Sequence, residues 1–343
     1  MFDAHALART EPATAAGRVQ HSRRDFLTGA RGRRESDGFW LRASRQAMAC
    51  RFEITLASED AAWLPAARAA LDEIDRLEAR LSVFRDSSLI SRINRLAGAE
   101  SVDADAETIE LLEQCVELSR RTGGAFDITS TPLSRCWGFL HREGRLPSTD
   151  AIDEARGKVG CDAIQIDRAY AAVRFARPGT EINLGAIGKG YALDRVADGM
   201  RRAGVTHALL SAGRSSILAM SRGDRWQIDV VSPGRSKSLA RVWLRDAALG
   251  TSGAGEQFVV VDGARYGHVI DPRTGWPASG VTSASVIASS AAVADALSTA
   301  FLIGGIELAQ RYCAEHRNIV AVVTEEHSDP VMFGRHADAT VQL

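Results

Sequence analysis

Between Arg51 and Leu81 the apolar residues change period, and that change restricts the fold more than any other feature of the chain. Arg51-Phe52-Glu53-Ile54-Thr55-Leu56 alternates polar and apolar side chains, the repeat of a strand with one buried face. Residues 59–82 then place Leu64, Ala67, Leu71, Ile74, Leu77 and Leu81 at helical spacing, with charges on the opposite face. The same two periods recur downstream. A second helix is expected from about Ala106 to Arg121, stopped by Gly123-Gly124. Short strands lie between Ile164 and Leu184, a helix from Lys189 to Ala203, and strands at 207–212, 216–220 and 226–231. Val259–Tyr266 carries Asp262-Gly263 at its centre and reads as a hairpin. A strand at 283–289, helices at 292–303 and 306–316 and a strand at 318–324 complete the pattern. Strands and helices alternate too irregularly for a βαβ repeat, so the expected class is α+β. The mixed strands and helices of residues 39–343 are expected to form one large domain, with any subdomain boundary in the irregular region 138–160.

Of the 343 residues, 45% are hydrophobic and 25% charged, a mix that buries a sizeable core. Lys plus Arg number 42 and Asp plus Glu 43, so the basic excess of a duplex-binding protein is missing and no nucleic-acid partner is expected. No apolar run reaches the roughly 18 residues that a membrane span needs. Cys50, Cys115, Cys136, Cys161 and Cys313 are scattered without a Cys-x-x-Cys pair, which argues for free thiols rather than a disulfide framework or zinc site. Residues 1–38 read as an unstructured segment. Within it, Ser22-Arg23-Arg24-Asp25-Phe26-Leu27 resembles a twin-arginine export signal, but Thr28–Glu35 lacks the apolar stretch of about 7–15 residues that such a signal needs. A cytoplasmic location is the expectation, with export left open.

Four segments have the composition of a site. Asn183-Leu184-Gly185-Ala186-Ile187-Gly188-Lys189-Gly190-Tyr191 stands at a strand-to-helix junction, where glycines admit a close ligand and free N–H groups attract an anion. It matches neither nucleotide-binding fingerprint, and a structural turn has the same composition. Ala125-Phe126-Asp127 follows a Gly-Gly helix stop, so Asp127 suits either a turn cap or a nucleobase or ribose contact. His268-Val269-Ile270-Asp271-Pro272-Arg273-Thr274-Gly275 packs polar groups beside a tight turn; such turns equally serve as plain strand connections, but His268 has the chemistry of a general base. Asp295-Ala296-Leu297-Ser298-Thr299 puts Asp295 and Thr299 on one helix face, where their oxygens suit a hard cation such as Mg²⁺, although an Asp near a helix start equally compensates the helix dipole.

The order of these segments resembles the ApbE family of flavin transferases (FAD:protein FMN transferases). It begins with Met48-Ala49-Cys50, Ser82-Val83-Phe84 and Ser91-Arg92-Ile93-Asn94. Ala125–Asp127, the 183–191 loop, Thr251-Ser252-Gly253, His268–Gly275 and Asp295–Thr299 follow. The resemblance implies FAD as substrate, Mg²⁺ as cofactor, and transfer of FMN to a Thr or Ser hydroxyl with release of AMP. The implied partner is a target flavoprotein, such as a redox or electron-transport subunit. Asp295, Ser298 and Thr299 resemble the metal site, with a backbone carbonyl from Ala186. Met48, Phe84, Ala125, Phe126, Asp127, Asn183, Lys189 and Ile270 resemble the flavin contacts, while His268 and Asp271 would orient or deprotonate the acceptor hydroxyl. The chain departs from the family pattern in three places. Met48-Ala49-Cys50 replaces Met-Gly-Thr, Asn183 replaces an Asp, and Gly213-Arg214-Ser215 replaces Gly-Gly-Asp. The last exchange keeps open a non-catalytic FAD-binding protein, or a hydrolase giving FMN and AMP.

Overall fold

The computed structural model describes residues 19–21, 27–32, 39–140, 143–231, 238–255 and 257–343. Among them, eight antiparallel strands build a central sheet in which spatial order follows chain order. They are β1 (Trp40–Ala47), β2 (Cys50–Ala57), β3 (Ala208–Ala212), β4 (Ser216–Met220), β5 (Ala247–Gly253), β6 (Val281–Ala288), β7 (Ile319–Glu325) and β8 (Val331–Arg335). Three helices cover one face: α1 (Leu64–Leu81), α2 (Gly188–Arg202) and α3 (Ala291–Glu315). Their buried residues, including Ile74, Leu77, Leu193, Val196, Leu297 and Phe301, share one core with the alternate residues Phe52, Ile54 and Leu56 of β2. Gly305, at φ +69°, interrupts α3 where the sequence reading separates two helices. By length and composition α3 could cross a membrane, yet it packs here on β5, β6 and α2 as a core helix.

The other sheet face carries Leu209, Ile217, Leu249, Ile287 and Val320. They bury a second core against Trp226, Ile228, Val230 and Val242 of a smaller four-stranded sheet. A third cluster, Leu133, Trp137, Phe139, Ile152, Val259 and Ile270, lies under the 268–275 loop. The arrangement is α+β, as expected. Two details differ. Residues 1–38 are expected to lack structure, whereas Val19–His21 pairs with strand Gln257–Val261 and Leu27–Gly32 with strand Trp226–Val231. Unpaired N–H and C=O groups at a sheet edge give even a weakly patterned segment a partner. Arg23 and Arg24 lie outside the described residues. The region 138–160 also contains a helix, Thr149–Arg156, started by the Ser148 hydroxyl accepting the Ala151 N–H.

Candidate active site

Strand register places several segments at one end of the sheet. Ala47 faces Cys50 across the Met48-Ala49 turn, Ala212 faces Ser216 across Gly213–Ser215, and Gly253 at the end of β5 faces Ser283 near the start of β6. Helix α2 begins beside Asp295 of α3, and glycine is what allows this. A Cβ on Gly190 would lie 2.1 Å from the Ala291 carbonyl oxygen, and one on Gly250 would lie 2.5 Å from the Ala294 carbonyl carbon. Asp194 of α2 fixes the start of α3 by accepting from the Ser290 hydroxyl (2.7 Å) and the N–H groups of Ala291 (2.8 Å) and Ala292 (2.9 Å).

Asp295 is the buried centre of this arrangement. One carboxylate oxygen accepts the Ser216 hydroxyl and the other the Gly190 N–H, each at 2.7 Å. Burial pushes its pKa up to about 6, against the opposing charge of Lys189 and those two hydrogen bonds. The Lys189 ammonium donates to the Ser215 hydroxyl. Beside Asp295, the Ser252 hydroxyl lies 2.8 Å from that of Ser298 and 3.1 Å from that of Thr299, and Ser298 donates to the Asp295 carbonyl. Asp295, Ser298 and Thr299 therefore offer a carboxylate and hydroxyls, hard oxygen donors of the kind Mg²⁺ takes. Each carboxylate oxygen keeps a further lone-pair direction beyond the bond it already accepts. Ala186 sits half-buried in the turn leading to Lys189. Among the described residues, no three His, Cys, Asp or Glu side chains converge as a metal-binding group.

The other predicted residues form a second group. The Asp127 carboxylate accepts the Thr129 N–H (2.7 Å) and the Cys161 N–H (2.9 Å), so it braces two loops together. Ala125 and Phe126 are fully buried. A Cβ added to neighbouring Gly124 would meet the Arg273 side chain. Asp271 is held by Arg273, which donates to it from Nε (2.9 Å), Nη2 (2.8 Å) and the backbone N–H (2.9 Å). Ile270 is buried and paired with Pro277, and His268 is half-buried just beyond strand Ala264–Gly267. The Asn183 N–H donates to the Ile128 carbonyl (2.8 Å), joining this group to the glycine-rich loop, while the Asn183 side chain accepts the Gly185 N–H (2.9 Å). Phe84 is 70% exposed. Met48 and Ala49 both take left-handed backbone angles, φ +48° and +58°. The sequence reading does not assign Ser216, Asp194 or Glu78, because lone Ser, Asp and Glu residues in common contexts reveal no partner.

The ApbE family model matches residues 48–324, from the β1–β2 turn to β7, and so contains every candidate site residue. The chain belongs to the ApbE family. An FAD:protein FMN transferase of Treponema pallidum is 33% identical over 264 residues, covering 70% of this chain and 72% of that protein. One from Klebsiella pneumoniae is 28% identical over 268 residues, covering 76% of each. The solved ApbE protein of Thermotoga maritima superposes with a TM-score of 0.78 at 29% identity, over 87% of this chain and 97% of that one. The apo flavinyl transferase ApbE of Pseudomonas stutzeri gives 0.76 at 26% identity, over 88% and 96%. This ApbE-family chain therefore shares both the fold and most of its length with transferases.

Proposed function

We propose that this protein transfers the FMN half of FAD to a Thr or Ser hydroxyl of a target flavoprotein, such as a redox or electron-transport subunit, and releases AMP. The observation that carries this reading is the buried Asp295 beside the Ser298 and Thr299 hydroxyls at the amide-rich start of α2. Attack on a pyrophosphate phosphorus builds charge on the phosphate oxygens, and this end of the molecule is organised to receive it. Asp295, Ser298, Thr299 and the Ala186 carbonyl would hold Mg²⁺, which supplies charge neutralisation at the pyrophosphate. Lys189 and the N–H groups that open α2 bind the same phosphates. Met48 and Phe84 provide apolar surface for the flavin, Ala125, Phe126 and Ile270 belong to the same proposed binding region, and Asn183 shapes the loop between flavin and phosphates. Asp271, ion-paired with Arg273, is suited to orienting the acceptor, and His268 to taking its proton.

Purified protein incubated with FAD, Mg²⁺ and a flavin-acceptor domain is expected to yield a fluorescent acceptor band and an equal amount of AMP. D295A should abolish metal-dependent turnover while retaining flavin binding. FMN and AMP without a labelled acceptor would make the protein a hydrolase. FAD that stays bound and intact would make it a binding protein, the reading that Arg214 and Ser215 favour. D295A with undiminished turnover would remove Asp295 from the metal site.

A further inference from the structure

Glu78, in the last turn of α1, has a role that neither its exposure nor its sequence context announces. One carboxylate oxygen accepts the backbone N–H of Met48 at 2.6 Å, and the other accepts from the Arg85 guanidinium at 2.6 Å. The two partners belong to separate elements. Met48 opens the two-residue turn of the β1–β2 hairpin, and Arg85 follows Phe84 in the loop between α1 and helix Leu89–Leu96.

Both elements are unusual at the point of contact. A hairpin with two left-handed central residues normally uses Asn or Gly there, because a Cβ is strained at positive φ. This turn uses Met48 and Ala49, and an N–H bonded to a carboxylate helps hold the strained conformation in place. The loop is fixed just as firmly. Ser88 donates to the Ser82 carbonyl (2.6 Å), the Ser82 hydroxyl accepts the Phe84 N–H (3.2 Å), and Arg95 donates to the Asp86 carbonyl (2.9 Å). The backbone that presents the 70% exposed Phe84 ring is therefore well anchored although the ring is not buried. On the far side of the turn, Cys50 lies against Gly213, where an added Cβ would come 3.4 Å from the Cys50 Cβ, which sets the turn beside the Gly213–Ser215 segment that Lys189 reaches.

We infer that Glu78 is a positioning residue for the flavin ring, joining the Met48 turn to the Phe84–Arg85 loop so that two apolar side chains from different elements hold a fixed separation. This rests on the proposed function, which places Met48 and Phe84 at the flavin. Glu78 touches neither the phosphates nor the reacting atoms in this assignment, so its loss should be felt by the flavin half of FAD and not by the nucleotide half. ADP, which keeps the adenosine and pyrophosphate but lacks the ring, separates the two.

The test is titration of the full-length protein with FAD and with ADP, without acceptor, in wild type, E78A, E78Q and R85M. E78A is expected to weaken FAD roughly tenfold, the scale of lost preorganisation, and to leave ADP within about twofold. Gln still accepts the Met48 N–H through its amide oxygen, so E78Q should recover most of the FAD affinity, with R85M falling between. Hydrogen exchange at the Met48 amide, read without ligand, should accelerate in E78A and not in R85M. FAD and ADP weakened equally would show a general loss of structure and overturn the assignment. So would unchanged FAD affinity in E78A, or an unchanged Met48 amide. A wild type that binds no FAD would overturn the proposed function, and this assignment with it.

Discussion

Asp295 holds its charge where charge is expensive, with only two hydrogen bonds and the field of Lys189 to offset the burial. The consequence for stability has a definite sign. The unfolded carboxyl loses its proton near pH 3.8, while the folded one keeps it to about pH 6. Between those values the folded chain binds more protons than the unfolded chain, so this residue's contribution falls as pH rises through the window and levels off above it. The loss is about 3 kcal/mol on the scale of 1.36 kcal/mol per pKa unit. Asparagine fits the same place, its oxygen accepting the Gly190 N–H and its amide donating to the Ser216 hydroxyl, with no charge to bury. In EDTA, the wild type should therefore lose stability relative to D295N between pH 4 and pH 6 in thermal or urea unfolding. Mg²⁺ should restore it above pH 6 and do little at pH 5. Parallel pH profiles for the two proteins would mean that Asp295 does not titrate in that range.

At the scale of elements, α1 is legible in the sequence because packing on a sheet imposes a 3.6-residue stripe, whereas α3, apolar on most sides, is read from its run of helix-forming residues. Strand β5 is not legible. Ala-Ala-Leu-Gly-Thr-Ser-Gly has one β-branched residue and two glycines, a composition that argues against a strand. Its small residues are explained only by α3 lying directly on it, a tertiary contact that local pattern does not encode. Gly190 has the same explanation, whereas Gly199, in the same helix, meets only the end of the Arg202 side chain, at 3.9 Å from an added Cβ. The two positions therefore predict opposite outcomes. G190A should drive α2 away from the backbone of α3 and lose about 3 kcal/mol, at the upper end of overpacking costs. G199A should gain about 0.5–1 kcal/mol from helix propensity alone. Denaturant midpoints of the two variants measure this, and a mild G190A would show that α2 and α3 can separate without cost.

Across the whole molecule, the proposed site draws on residues as far apart in the chain as Met48 and Thr299, and the turns at one end of the central sheet carry its Met48, Gly213–Ser215 and Thr251–Gly253 segments. Motif composition identifies the contributing segments, but not that Ser216 and the Gly190 N–H hold Asp295, nor that Asp127 and Asp271 are already engaged by Thr129, Cys161 and Arg273. The Asp295 partnerships exist only once β4, α2 and α3 have packed, so a ligand that bridges the segments reads the packing of those elements. A divalent cation at Asp295 and a pyrophosphate at Lys189 would meet across the Ser215–Ser216 turn, each offsetting charge that the other brings. Their binding must then be coupled, and coupling free energies are reciprocal. Mg²⁺ should tighten ADP, and ADP should tighten Mg²⁺, by one common factor of roughly 5–150. Together they should raise the unfolding temperature by more than the sum of their separate shifts, since stabilisation follows occupancy of the folded state. D295N should leave ADP binding nearly intact while removing the coupling. Additive shifts in the wild type, with no dependence of ADP affinity on Mg²⁺, would place the cation away from the phosphates and separate Asp295 from the chemistry proposed for it.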